Sequence, residues 1–351
     1  MKKLKGGKAS GKNKAARNIR ISIFAFLIAA LFSIVSAQTV KVETNADGLV
    51  IKNKIKTIIN TDDASTEKSI TVDAKVNIQL CVSNGKLKIN GWERNEVRAF
   101  VDGGSEIGFK ILQKDKQNNN VVWVKILGFD PLKNKDSNLG ECLSGEQIEL
   151  DVPRGAVLDI QGQASETTIE SVGKVSVENV GGDIFLNNIE RGIDAKTYEG
   201  DVTVGKSGGA VSLQSTTGNI VAFDVAPGEI GDVFKAKTSS GAITLKNVKH
   251  RQMEVVSNSG SMRFAGELQT GGQYTFRTSN GSILLTIPQN SSCKINALYG
   301  YGKLDSEFKL ETITVNNTSK AQSLVASIGG GDATLNLTTY SGAIHIKKNE
   351  K

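Results

Sequence analysis

The chain is short of the residues that site chemistry draws on most. Of its 351 residues two are histidine, two tryptophan and three cysteine, aromatics make up 5%, and proline occurs 4 times. With only His250 and His345 present, bases for a nucleophilic triad are scarce. Glycine, in contrast, occurs 37 times and hydrophobic residues make up 38%. That balance excludes a disordered chain and a helical bundle, and it suits many short strands joined by tight turns.

Acid is missing from residues 1–20, which hold eight Lys or Arg. The apolar run Ile21 to Val35 follows, then Ser36 and Ala37. A basic region, an apolar run and small residues in that order predict a secretory signal cleaved after Ala37. The alternative is an uncleaved anchor, since Ile21 to Ala37 is 17 residues, at the short limit of a ~17–25-residue span. Either way the remainder is expected outside the cytoplasm, in the periplasm, at the cell surface or extracellular. Membrane contact is then expected only through the N-terminal segment, if it is retained. The leader also accounts for the net charge of +7: removing its eight cations from 43 leaves 35 against 36 acids, about −1. The basic pI therefore gives no support to nucleic-acid binding.

Beyond the leader one phrase recurs: glycine, one residue, then two aliphatic or aromatic residues separated by one. It begins at Gly182, Gly200, Gly218, Gly241, Gly260 and Gly281, at intervals of 18, 18, 23, 19 and 21 residues, and returns weakly at Gly162, Gly302 and Gly342. Alternation places Ile243 and Leu245 on one face and Thr244 and Lys246 on the other. A near-twenty period of such strands predicts a right-handed parallel β-helix or β-solenoid with coils of ~18–21 residues, the glycines at the corners. The expected organisation is a signal or anchor at 1–37, an N-terminal β region at 38–150 with a polar insertion at 114–147, and the glycine-phased solenoid at 151–351, continuous with what precedes it. A charged C-terminus after Ile346 suits a cap against edge pairing.

Several motifs invite chemistry and fail on context. Gly200 to Ser207 matches G-x-x-x-x-G-K-S, and Gly205 to Gly209 matches G-x-S-x-G. Both need a strand followed by a helix, and here a second strand is expected. Asp183, Asp201 and Asp332 follow glycines, but the consecutive nonapeptides of a calcium β-roll are missing. Asp183 and Asp201 lie one period apart, which would stack their carboxylates roughly 5 Å apart, close to a retaining glycosidase pair; the repeat alone produces that spacing. No catalytic, cofactor-binding or metal-ligating residue is assigned.

Tyr299 and Tyr301 on a glycine-rich turn are the surface-binding candidates, with packing over an adjacent coil as the competing place for them, and Trp92 and Trp123 are expected to plug an end of the solenoid. Lys235, Lys237, Lys246, Lys249 and Arg251 are expected to cluster on adjacent strands. Cys81 and Cys142 are candidates for a disulfide, with three unpaired thiols as the open alternative.

Four phrases carry a family resemblance: Asn84 to Val97, Leu150 to Gly155, Ser279 to Pro288 and Tyr340 to Ile346. They resemble the bacterial putative-adhesin domain, a family of exported β-solenoid proteins, across most of residues 70–347. The resemblance implies a right-handed parallel β-helix-like fold, an envelope or surface location and no known catalytic residues. The expected function is a non-enzymatic, adhesin-like interaction scaffold whose partner is a cell-surface glycan or an envelope protein. The alternatives are a structural or regulatory envelope protein without external ligand, and a glycan-active β-helix enzyme.

Overall fold

A computed structural model describes residues 44–45, 48–49, 66–129, 142–317 and 322–349. The predicted signal or anchor lies outside them. Two units divide the chain, Met1–Asn60 and Thr61–Lys351. In the first, Thr44–Asn45 pairs antiparallel with Gly48–Leu49. In the second, every regular element among the described residues is a strand.

Alternation sets which side chains are inside. Along Lys174–Gly181 and Gln273–Asn280 every other residue is buried, and Ile243 and Leu245 are inside as their phrase predicts. Each glycine phrase supplies the second of two strands, and each strand pairs parallel with its equivalent one repeat on. Two ladders result. In one, Val175 partners Ile193, then Val211, Phe234, Met253 and Tyr274. In the other, Ile184 partners Val202, then Ile220, Ile243, Met262 and Ile283. Their inward side chains merge into one hydrophobic core.

The corner between the two strands is held in two ways. Successive turn glycines stack so closely that a Cβ on Gly218 would strike the Gly200 carbonyl, and Gly218 also has φ +155°. Three residues before each corner glycine from Gly200 to Gly281, and before Gly342, stands a buried hydroxyl residue that donates to the glycine carbonyl of the preceding layer; before Gly182 the place is taken by Asn179, which donates to Ser165 O. Ser215 reaches Gly200 O at 2.9 Å, Thr238 reaches Gly218 O at 2.9 Å and Thr278 reaches Gly260 O at 3.0 Å. Thr197, Ser257 and Thr339 do the same to Gly182, Gly241 and Gly281. The half-buried glycine carbonyls thereby gain a donor. At the other corner Ser171, Asn188, Lys206, Asp224 and Asn247 form a second column, all with positive φ.

The two ends depart from chain order. The glycine phasing predicts Gly302 after Gly281; instead Gly342 stacks on Gly281, and Gly302 on Gly342. The C-terminal strands Ala333–Ser341 and Ile344–Asn349 pair with Gln273–Asn280 and Ile283–Pro288 on one side and with Cys293–Leu298 and Leu304–Ser306 on the other. The N-terminal end repeats the device. Asn77–Trp92 lies between Val157–Glu170 and the strands Val121–Phe129 and Leu143–Pro153. Each outer layer is then covered by antiparallel strands. At one end these are Glu96–Asp102, Thr66–Thr71 and Glu106–Lys114; at the other they are Gln322–Ile328 and Glu311–Asn317. Strands therefore occur on both sides within 114–147.

Candidate functional site

The motif residues are committed to the scaffold. Asp183 Oδ1 accepts the Asp201 N–H at 2.8 Å, Asp201 Oδ1 accepts the Asn219 N–H at 2.7 Å, and Asn219 Oδ1 accepts the Ala242 N–H at 2.9 Å. The two aspartates do lie on adjacent layers, each binding the next turn. Ser207 is buried, donates to Gly205 O at 2.7 Å and accepts from the Ile189 N–H at 3.1 Å. The strand Val211–Thr217 follows this loop, as the failed context of both phosphate and hydrolase motifs requires. Among the described residues no three His, Cys, Asp or Glu side chains are grouped to hold a metal ion.

His250 fills a gap in the stack. The layer beginning at Gly218 is 23 residues long, and its excess length leaves the wall near 226–232, where Ile230 is fully exposed. His250 is buried in the space, with Nε2 2.8 Å from Gly209 O and its ring centroid 5.7 Å from that of Phe234. A carbonyl only accepts, so Nε2 carries the proton, while buried Nδ1 has no partner. Desolvation pushes the His250 pKa below its usual value, against the opposing Gly209 hydrogen bond and the Asp232 charge.

Three surface expectations need correction. Tyr299 is buried in the hydrophobic core, its N–H donating to Gln322 O at 3.0 Å; of the two only Tyr301 is exposed, edge-on to Tyr340 at 5.5 Å. Trp123 does not plug an end, since it faces outward from its strand and is 37% exposed. The lysines do not share one face: Lys235 and Lys237 belong to one ladder and Lys246 to the other. Cys81 and Cys142 are bonded to each other, and Cys293 is free and buried.

Polar side chains converge instead at the N-terminal end. A cavity of about 790 Å³ is lined by residues of Thr66–Thr71 and Glu96–Asp102, by Trp92 and Arg94, and by Asp151. Cross-strand register places Ser69 beside Arg98 and Arg98 beside Asp151. The Arg98 Nε donates to Asp151 Oδ2 at 2.8 Å, Nη2 donates to the same oxygen, and Nη1 lies 3.4 Å from Glu67. The Asp151 hydrogen bond and charge hold the Arg98 guanidinium above its usual pKa. Half-buried Trp92 is oriented by its Nε1–H, which donates to Glu96 O at 2.8 Å. Exposed Arg94 lies over that ring, its Cζ 5.0 Å from the centroid. The sequence did carry a trace of this: Trp92 to Val97 and Leu150 to Gly155 are two of the phrases behind the family resemblance, and Glu96 and Arg98 alternate outward. It carried no sign that the strands holding Arg98 and Asp151 pair.

The chain matches the Toastrack DUF4097 family over residues 47–347. It belongs to that family. The match spans the whole of the 70–347 stretch on which the resemblance to the putative-adhesin domain rests, and bears that resemblance out. No curated protein matches this Toastrack chain. Among solved structures it is similar to a putative adhesin from Parabacteroides distasonis, at 10% identity and a TM-score of 0.31, over 82% of this chain and 98% of that one. It is also similar to a putative lipid binding protein from the same organism, at 12% identity and a TM-score of 0.31, over 82% and 97%. A putative cell adhesion protein from Clostridium sporogenes gives 13% identity and a TM-score of 0.23, over 81% and 100%. At such TM-scores these likenesses carry no weight for function.

Proposed function

We propose that this Toastrack protein is an exported, non-enzymatic surface or envelope scaffold, adhesin-like in that it binds a partner through its outer face. The observation that carries the reading is the division of labour among its polar groups. Asp183, Asp201 and Ser207 each hold main-chain groups of neighbouring layers, while the Trp92–Arg94–Arg98 cavity gathers oriented side chains at an accessible end. Concave sites with a few convergent polar groups are where binding is expected. Export is supported by the leader pattern and by the Cys81–Cys142 disulfide, which persists in oxidising compartments. The scaffold is read as a right-handed β-solenoid with coils of about 18–21 residues, because crossovers between parallel strands are right-handed in nearly all proteins.

A glycan array and a whole-cell adhesion assay on the full chain test this reading. Binding in either supports it, and binding in neither sinks it.

A further inference from the structure

The cavity at the N-terminal end has a charge arrangement that selects among ligands. It is lined by three cations, Lys68, Arg94 and Arg98, and three carboxylates, Glu67, Glu96 and Asp151. Most are already paired. Arg98 is held by Asp151 and Glu67. The Lys68 Nζ donates to Ile107 O. Among the described residues Arg94 has no carboxylate partner and Glu96 no cationic one. Among the described residues, then, the cavity offers one guanidinium and one carboxylate outside any ion pair, beside an indole.

Their geometry matters as much as their charge. A guanidinium stacked on an aromatic ring keeps its edge N–H groups in a planar fork that matches a carboxylate. The Arg94 Cζ lies over the Trp92 ring, 5.0 Å from its centroid, and that ring is fixed by the Nε1–H to Glu96 O bond. Fixing the ring before a ligand arrives reduces the ordering cost of binding. Glu96 is acceptor-only when ionised and would take hydroxyl donors. The uncovered part of the indole suits the apolar face of a ring.

We propose that this cavity binds an acidic sugar residue of the uronic-acid type. The carboxylate would sit on the Arg94 fork, the ring against Trp92, and the hydroxyls on Glu96 and the neighbouring Ser69. An acidic peptide such as oligoglutamate also brings carboxylates, but it lacks the hydroxyl donors that Glu96 would receive. This assignment rests on the binding reading above and names the ligand class for that surface.

The test uses the full chain and the fluorescence of Trp92, isolated by Trp123→Phe, since the sequence holds no other tryptophan. An oligogalacturonate is titrated against a neutral gluco-oligosaccharide and a glutamate tripeptide. A saturable change with the uronate alone is expected. Arg94→Ala should weaken it about tenfold or more, the scale of a lost charge-assisted bond, and Arg94→Lys should fall between. Arg94 is exposed on a turn, and an unchanged melting temperature confirms that each variant is folded. No saturable change, equal response to the neutral sugar, tighter binding of the peptide, or indifference to Arg94→Ala each overturns the assignment. Array binding that survives Arg94→Ala would overturn it while leaving the scaffold reading intact, whereas silence in both experiments removes both.

Discussion

Gly342 rests on Gly281, sixty-one positions earlier in the chain: the Gly281 N–H donates to Ser341 O at 3.2 Å, and a Cβ on Gly342 would strike the Gly281 carbonyl. The same relation runs through the corner column, so the glycines act by closeness as much as by backbone freedom.

Adjacent glycines separate that effect from general tolerance. Gly182 has φ +102° and would drive a Cβ into Ser165 O, while at Gly181 the nearest atom is Gln163 O at 3.7 Å. Gly182→Ala is expected to destabilise by roughly 1–3 kcal/mol, in the range of overpacking and strained backbone. Gly181→Ala should be neutral or slightly stabilising. Urea denaturation of both variants measures the difference, and equal effects would contradict the corner column.

The buried hydroxyls predict a second asymmetry. Thr238→Val keeps shape but removes the donor to Gly218 O. A loss of about 1 kcal/mol is expected, because the half-buried Gly218 carbonyl is left without that partner. Thr238→Ser should retain most of the stability. Chemical denaturation midpoints compare the three proteins.

His250 predicts the response to acid. Its pKa is lowered in the folded chain, so the neutral form is favoured there and the unfolded chain binds the proton more readily. Its contribution to stability is thus full above its unfolded value near 6.5 and declines as pH falls below it. His250→Gln should flatten the change in urea midpoint between pH 7.5 and 5.5. An unaltered slope would show that the plug is not the titrating group.

The cysteines should differ sharply. Burial pushes the Cys293 thiol up to about 11, so it should resist thiol reagents at pH 8 until the chain unfolds. The Cys81–Cys142 bond closes a loop with a sequence separation of 61. Its removal by paired Cys→Ser substitution is expected to cost about 4 kcal/mol on the loop-entropy scale. Thiol titration before and after denaturation, with melting of the double variant, checks both.

The sequence made the repeated layers readable because their two constraints are local. Ile243 and Leu245 announce a buried face by alternation, and Gly241 announces a corner. The hydroxyl three residues earlier, as in Thr238 before Gly241, was equally local; only its partner, a carbonyl of the previous layer, lay out of reach. What was not readable is which layers touch. Nothing in Tyr274 or Leu335 says that they are partners, since parallel ladders of aliphatic side chains carry no address. The cavity was hidden for the same reason: Arg98 and Asp151 meet only because Glu96–Asp102 pairs with Leu143–Pro153. Tyr299 and Tyr301 had both places open to them on the turn, and only the strand laid over Tyr299 separates the buried one from the exposed one.

The placement of Asn77–Trp92 and Ala333–Asn349 one layer in from each end limits how such a protein can change in length. Each terminal segment is clamped on both faces, so a layer cannot be added or trimmed at an end without dismantling the cover beyond it. The stretch between Gly182 and Gly281 is free of that restriction: apart from the His250 bond to Gly209 O, which crosses one layer, each layer there pairs only with its neighbours in sequence. Whole repeats can be gained or lost in that interior while the Trp92 cavity and both covers persist unchanged, which makes reach and recognition separately adjustable.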